Sequence, residues 1–138
     1  MTRLELLLQW YATLSPQSLR DIGAYYRPDA RFRDPFNDVQ GVDAIRAIFE
    51  HMFRTTGAPR FVVRDVVGSD ALAFVTWDFT FELRGTQYAI HGATRFALDA
   101  QGRVMDHRDY WDAAGELWAR LPVLGVAVRW LRRRFGAR

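Results

Sequence analysis

The hydrophobic period of this chain changes after Pro59, and that change sorts its architecture. Val42, Ile45, Ile48, Phe49, Met52 and Phe53 recur at helical spacing, and Gly57 stops the run. After Pro59 the period becomes two. Val75, Trp77, Phe79, Phe81 and Leu83 fall on one face of a strand, and Asp78, Thr80 and Glu82 on the other. Helical periods dominate before that point, and a run of strand periods follows it. Late adjacent strands joined by short turns imply an antiparallel sheet, and helices gathered on one face of it make an α+β fold. The 138 residues suffice for one domain with one core.

The same reading places the remaining elements. Thr2 with Glu5 three residues on is a capping box, opening a first helix over 3–14. Ser15-Pro16 pairs a cap with proline at the first helical position, starting a second helix that ends near Tyr25, before Arg27-Pro28-Asp29. A short strand over 30–34 is closed by Pro35, and 36–41 reads as a turn. Four further strands are expected over 61–67, 71–83, 86–98 and 103–112. Residues 113–135 read as helical, with a break near Pro122 and Gly125. A strongly bent sheet wrapped on three helices encloses a cone, and its open end makes a pocket of the kind that holds small molecules.

Composition removes several chemistries. There is no cysteine, which excludes disulfides, thiolate nucleophiles and cysteine-ligated metals. All 19 basic residues are arginine, which excludes a lysine Schiff base. The net charge of +3 is lopsided: residues 129–138 hold five arginines and no acid, and the body carries 14 arginines against 16 acids. A nucleic-acid binder usually spreads basic charge over a docking face, so nucleic acid is not an expected partner. No apolar run approaches the ~20 residues of a membrane span. The start of the chain lacks the pattern of a secretory signal, and the expected compartment is the cytoplasm.

Several stretches together carry a resemblance: Leu8-Gln9-Trp10-Tyr11-Ala12; the run from Tyr26 through Arg27-Pro28-Asp29-Ala30-Arg31-Phe32-Arg33 to Asp34-Pro35; Gly41-Val42-Asp43-Ala44-Ile45; and Gly102-Arg103-Val104 leading into His107-Arg108-Asp109-Tyr110-Trp111-Asp112. The chain resembles the nuclear transport factor 2-like superfamily, on the branch of ketosteroid isomerases and SnoaL-like polyketide cyclases. The resemblance implies a cone-shaped α+β barrel over 1–112, followed by a basic amphipathic extension over 113–138. It also implies a dimer, and it leaves activity open, because this superfamily hosts isomerases, dehydratases, hydrolases and non-catalytic binders.

Carried over by position, Asp34 matches the family's proton-moving base and Tyr11 its oxyanion-binding tyrosine. The position of the family's protonated acid falls on Thr94, which donates a hydrogen bond but is not an acid. Each has a plainer reading: Asp34 before a proline also suits a turn, and Tyr11 also suits a core. His107, Asp109 and Trp111 stand at i, i+2 and i+4, so they share a face. Family geometry favours that face pointing inward, where a histidine and a carboxylate must be paired or hydrogen-bonded. The opposite register would turn Asp106, Arg108, Tyr110 and Asp112 inward. His51 reads as solvated and His91 as lying outside the pocket.

Trp77, Phe79, Phe81 and Trp111, with Phe49 and Phe53 from the third helix, would either line an apolar aromatic cavity or simply fill the core. Asp34, Tyr11, His107 and Asp109 are thus the candidate catalytic groups. Thr94, Trp111, Trp77, Phe79, Phe49 and Phe53 are the candidate substrate contacts. No three ligands stand at metal-binding spacing, so neither metal nor cofactor is expected. The expected function is proton-transfer chemistry (isomerisation, dehydration or cyclisation) on a steroid-, polyketide- or terpenoid-like compound. The alternative is a non-catalytic binding or dimeric interaction module for an apolar ligand. The arginine-rich extension would pack as a lid or against a partner, or make weak contact with an anionic membrane surface.

Overall fold

Capping at the N-terminus obeys the spacing of its residues. In the computed structural model, which describes residues 1–116 together with 126, 129, 130, 133 and 134, Thr2 Oγ1 accepts from the Glu5 N–H at 3.1 Å. The Glu5 carboxylate accepts from the Thr2 N–H at 2.9 Å. The helix so opened, α1 (Arg3–Ala12), buries Leu4, Leu7, Trp10 and Tyr11 along one stripe. Ser15 and Ser18 bond reciprocally at 2.9 and 3.0 Å, but they close a turn through Pro16 and Gln17 and do not cap a helix beginning at Pro16. The helical segment starts later and is shorter than expected: a 3-10 turn (Ser18–Asp21) running into a single α turn, α2 (Ile22–Tyr25).

Strand β1 (Tyr26–Arg33) starts four residues before the expected position, because Tyr26 and Ala30 are both fully buried and tie it to the core. Pro28 lies inside it and has no N–H to give, and the pairing of β1 slips between Tyr26 and Arg31. Residues read as a turn include a three-residue strand, β2 (Asp38–Gln40), paired antiparallel to β1 and pinned by a bidentate Arg31–Asp38 ion pair at 2.9 Å. Helix α3 (Val42–Thr55) buries Ile45 and Phe49, as its period requires.

The last four strands are β3 (Gly57–Gly68), β4 (Leu72–Leu83), β5 (Thr86–Leu98) and β6 (Val104–Trp111). Pro59 does not keep the chain out of β3, because β3 is an edge strand and its register slips between Gly57 and Arg60. The six strands lie in the order β2-β1-β6-β5-β4-β3. The sheet is curved, and it is mixed rather than purely antiparallel, since β1 runs parallel to β6. A parallel neighbour needs a long return connection, which the residues between β1 and β6 supply. The curl does not close, and β2 and β3 remain as edges.

Helices α1 and α3 pack on the inner face against β3 and β1. Leu7, Ile22, Tyr26, Ile45, Val75 and Val104 are the largest fully buried side chains, each contributing roughly 1.5–3 kcal/mol of apolar burial. A second cluster, centred on Trp77, Phe81 and Ile90, lies beyond them. After β6 the chain enters a helical turn, α4 (Ala113–Glu116). The expected amphipathic pattern of Leu117, Trp118, Leu121, Leu124, Val128, Leu131 and Phe135 lies outside the described residues. Among the described residues, no helix is long and apolar enough to cross a membrane.

Candidate functional site

The alternation of β6 builds the site. Asp106 points outward and is clamped by Arg33 and Arg95, each at 3.2 Å. The alternate residues His107 and Asp109 therefore point inward, and His107 is only 2% exposed. This is the register that family geometry favoured. A buried imidazole beside a carboxylate is tolerated only when hydrogen bonds satisfy both, and here they do.

His107 Nε2 lies 2.7 Å from Asp109 Oδ1. On the other side of the ring, Nδ1 is 2.6 Å from the hydroxyl of Tyr26 and 3.3 Å from that of Tyr11. The two tyrosine hydroxyls also bond to each other. Asp109 Oδ1 accepts a second hydrogen bond from Thr94 Oγ1 at 2.5 Å, and Thr94 Oγ1 in turn accepts from the Trp77 indole N–H at 2.8 Å. Among the described residues Asp109 Oδ2 accepts no hydrogen bond.

Burial is the main reason both tyrosine hydroxyls titrate well above the ordinary tyrosine value. For Tyr11 the neighbouring Tyr26 raises it further, whereas for Tyr26 the bond to Tyr11 opposes part of the rise. Both phenols are therefore neutral donors at physiological pH.

Tyr11, Phe49, Trp77, Thr94, His107 and Asp109 line one cavity, walled otherwise by Leu8, Phe61, Val63, Val75 and Phe96. Its atom-free space is about 380 Å³ counting the mouth, but only about 30 Å³ admits the centre of a water-sized sphere. That is room for water, not for a fused ring system. A second, open cleft of about 650 Å³ lies at the end of β1 and β6, lined by Arg33, Asp34, Asn37, Arg108, Asp109 and Trp111 among others. Asp109 borders both spaces.

The structure thus brings together six of the ten candidates. Asp34 is not among them. Its Oδ1 accepts from the N–H groups of Phe36 and Asn37, both at 2.7 Å, and from the Asn37 amide at 3.0 Å, while Oδ2 accepts from that amide at 3.1 Å. It holds its own turn and faces the outer cleft, away from the inner cavity, because Pro35 ends the strand there. Trp111 also lines the outer cleft, edge-on to Phe36 at 5.6 Å. Phe79 stacks between Phe61 and Phe81, and Phe53 lies in a separate groove with Arg20 and Arg54. His51 and His91 are exposed, and His91 bonds to Asp78 on the outer face. Tyr26 is the member that reading the sequence missed. Placing it at a helix end hid it; an extended Tyr-x-Pro start to β1 would have put its side chain on the inner face.

A curled six-strand sheet over three helices, with ionisable groups turned into its hollow, defines a cone-shaped α+β protein of the nuclear transport factor 2-like class. A model of the SnoaL-like domain matches residues 7–107. The chain belongs to that family. Among solved structures, a protein of ketosteroid isomerase-like fold from Catenulispora acidiphila, in complex with trimethylamine, superposes with a TM-score of 0.74 at 15% identity, covering 88% of this chain and 96% of that one. TerC, crystallised with polyporic acid, gives 0.71 at 18%, covering 82% and 93%. A Shewanella putrefaciens protein bearing the name of a SnoaL-like polyketide cyclase gives 0.69 at 20%, covering 85% and 97%. These likenesses show the fold. No curated protein matches the chain significantly.

Proposed function

We propose that this protein is a SnoaL-like enzyme that moves a proton on an apolar, carbonyl-bearing compound, with Asp109 as the base. The observation that carries this reading is the asymmetry of the Asp109 carboxylate. Among the described residues one oxygen bonds to His107 and Thr94 and the other accepts no hydrogen bond, and Asp109 borders both the inner cavity and the outer cleft. A fixed carboxylate with one open lone pair is what abstraction of a proton beside a carbonyl requires. The substrate body rests in the outer cleft against Trp111, since the inner cavity is too small for it. Its acidic carbon reaches Oδ2, and the proton passes to that oxygen. Only the carbonyl group enters the inner cavity, which has room for a group the size of water, and there the neutral Tyr11 hydroxyl exchanges its bond to Tyr26 for one to the developing enolate oxygen. Thr94 is committed to Asp109 and holds it in place.

Isomerisation, dehydration and cyclisation all begin with this step, and the relative named as a polyketide cyclase fits it. The test is exchange of α-protons for deuterium in a panel of cyclic ketones and polyketide-like diketones, monitored by NMR. Asp109→Asn is expected to lower exchange by about 100-fold or more, the usual worth of a general base. Asp34→Asn keeps the turn's acceptor and is expected to leave it within about three-fold. Loss of exchange in Asp34→Asn with full activity in Asp109→Asn overturns the assignment. The narrow inner cavity favours a second reading, a binder without chemistry. Ligands that raise the melting temperature yet exchange no protons would establish it.

A further inference from the structure

An indole nitrogen carries one proton and has no lone pair to offer, so it only donates. Thr94 Oγ1 accepts that proton from Trp77 at 2.8 Å, which leaves its own hydroxyl proton to be placed elsewhere. The acceptor within reach is Asp109 Oδ1, at 2.5 Å. A threonine hydroxyl otherwise rotates to whichever partner suits it. Here Trp77 removes that freedom, and the Thr94 proton is committed to the carboxylate. Thr94 is 2% exposed, so no bulk water competes.

How the indole reaches Thr94 is visible one strand over. Trp77 pairs with Gly92 across β4 and β5. A Cβ at position 92 would stand 2.5 Å from Cη2 and 2.7 Å from Cζ2 of the indole, closer than carbon atoms approach without bonding. The six-membered ring of the indole therefore occupies the place where a side chain at residue 92 would be. Phe61 meets it edge-on at 5.8 Å and 88° from the other side. Any larger residue at 92 drives the ring off this position and its N–H off Thr94.

We infer that Trp77 is a positioning residue for Asp109, acting through Thr94, and that Gly92 is the space this requires. Trp77 and Thr94 thus serve the carboxylate rather than contact the substrate. The catalytic meaning of the relay rests on the reading of Asp109 as the base, but the relay itself is testable without activity.

The experiment tracks the Trp77 indole resonance in the ¹⁵N-labelled full chain, assigned by its disappearance in Trp77→Phe. Asp109→Asn, which removes the carboxylate charge, is expected to shift this resonance. In a Thr94→Val background that shift is expected to vanish, whereas Thr94→Ser, which keeps the hydroxyl, retains it. Gly92→Ala is expected to send the resonance toward that of an unbonded indole and to speed its exchange with solvent. Should Gly92→Ala fail to fold, the Thr94→Val and Thr94→Ser pair decides alone. A response to Asp109→Asn that survives Thr94→Val, or an indole indifferent to Asp109→Asn, overturns the inference. A responsive indole in a protein without proton-exchange activity supports the relay and refutes the proposed function. Proton exchange with a silent indole does the reverse.

Discussion

Two buried tyrosines compete for one imidazole nitrogen, and distance ranks them. Tyr26 is 2.6 Å from His107 Nδ1 and Tyr11 is 3.3 Å away. Removing the Tyr26 hydroxyl leaves a buried nitrogen with only a long, weak partner, which costs about 1–3 kcal/mol. Removing that of Tyr11 leaves the short bond intact. Tyr26→Phe is therefore expected to lower the urea midpoint more than Tyr11→Phe. Both phenols also make stability fall in alkali. Burial keeps them protonated in the fold, while the unfolded chain releases their protons near the ordinary value of about 10. Above that pH the folded state binds more protons than the unfolded one, so each tyrosine costs about 1.4 kcal/mol per pH unit. Their contribution is complete below about pH 10 and is lost as pH rises toward their higher folded values. Urea midpoints between pH 9 and 11 test this, and the Tyr11→Phe/Tyr26→Phe double variant is expected to show a flatter fall. At this scale much of the site was legible. Strand alternation alone put His107 and Asp109 on one face. Tyr26 was not legible, because its local signals are those of a helix end and only tertiary burial makes it a strand residue.

Elements were legible where one face is greasy and the caps are local. The capping box of α1, the apolar stripe of α3 and the alternation of β4 each arise from neighbours within a few residues. Elements whose reason lies far along the chain were not. Strand β2 has only three residues and exists because β1 offers it an edge. The parallel pairing of β1 with β6 leaves no mark in either segment. The β3–β4 hairpin carries a sharper local constraint. Gly68 has a φ of +132°, and a Cβ there would collide with the Leu72 carbonyl oxygen and lie 2.7 Å from the Ala73 Cα. Neither is the tip of a flexible side chain. Gly68→Ala is expected to destabilise by about 1–3 kcal/mol, read as a lower denaturant midpoint at an unchanged slope. On the inner face, Ile45→Ala is expected to cost about 2–4 kcal/mol, because Ile45 is fully buried.

Across the whole molecule, the family and the cone were readable, and the position of Asp34 was not. A residue's place in a motif says which strand end it occupies, but not whether that end opens inward or out. The curl of the sheet settles this, and it turns Asp34 toward the outer cleft. The strand order has a further consequence. Among the described residues β6 is the last strand in the chain, yet it lies between β1 and β5. Until it arrives, the early hairpin of β1 with β2 and the later meander of β3 to β5 have no common neighbour. A chain truncated after residue 103 is accordingly expected to lack the cooperative thermal transition that the full chain shows by circular dichroism. The segment carrying His107 and Asp109 is thus the keystone of the arch: the strand that joins the two halves of the sheet is also the one that brings the buried imidazole and its carboxylate into the hollow.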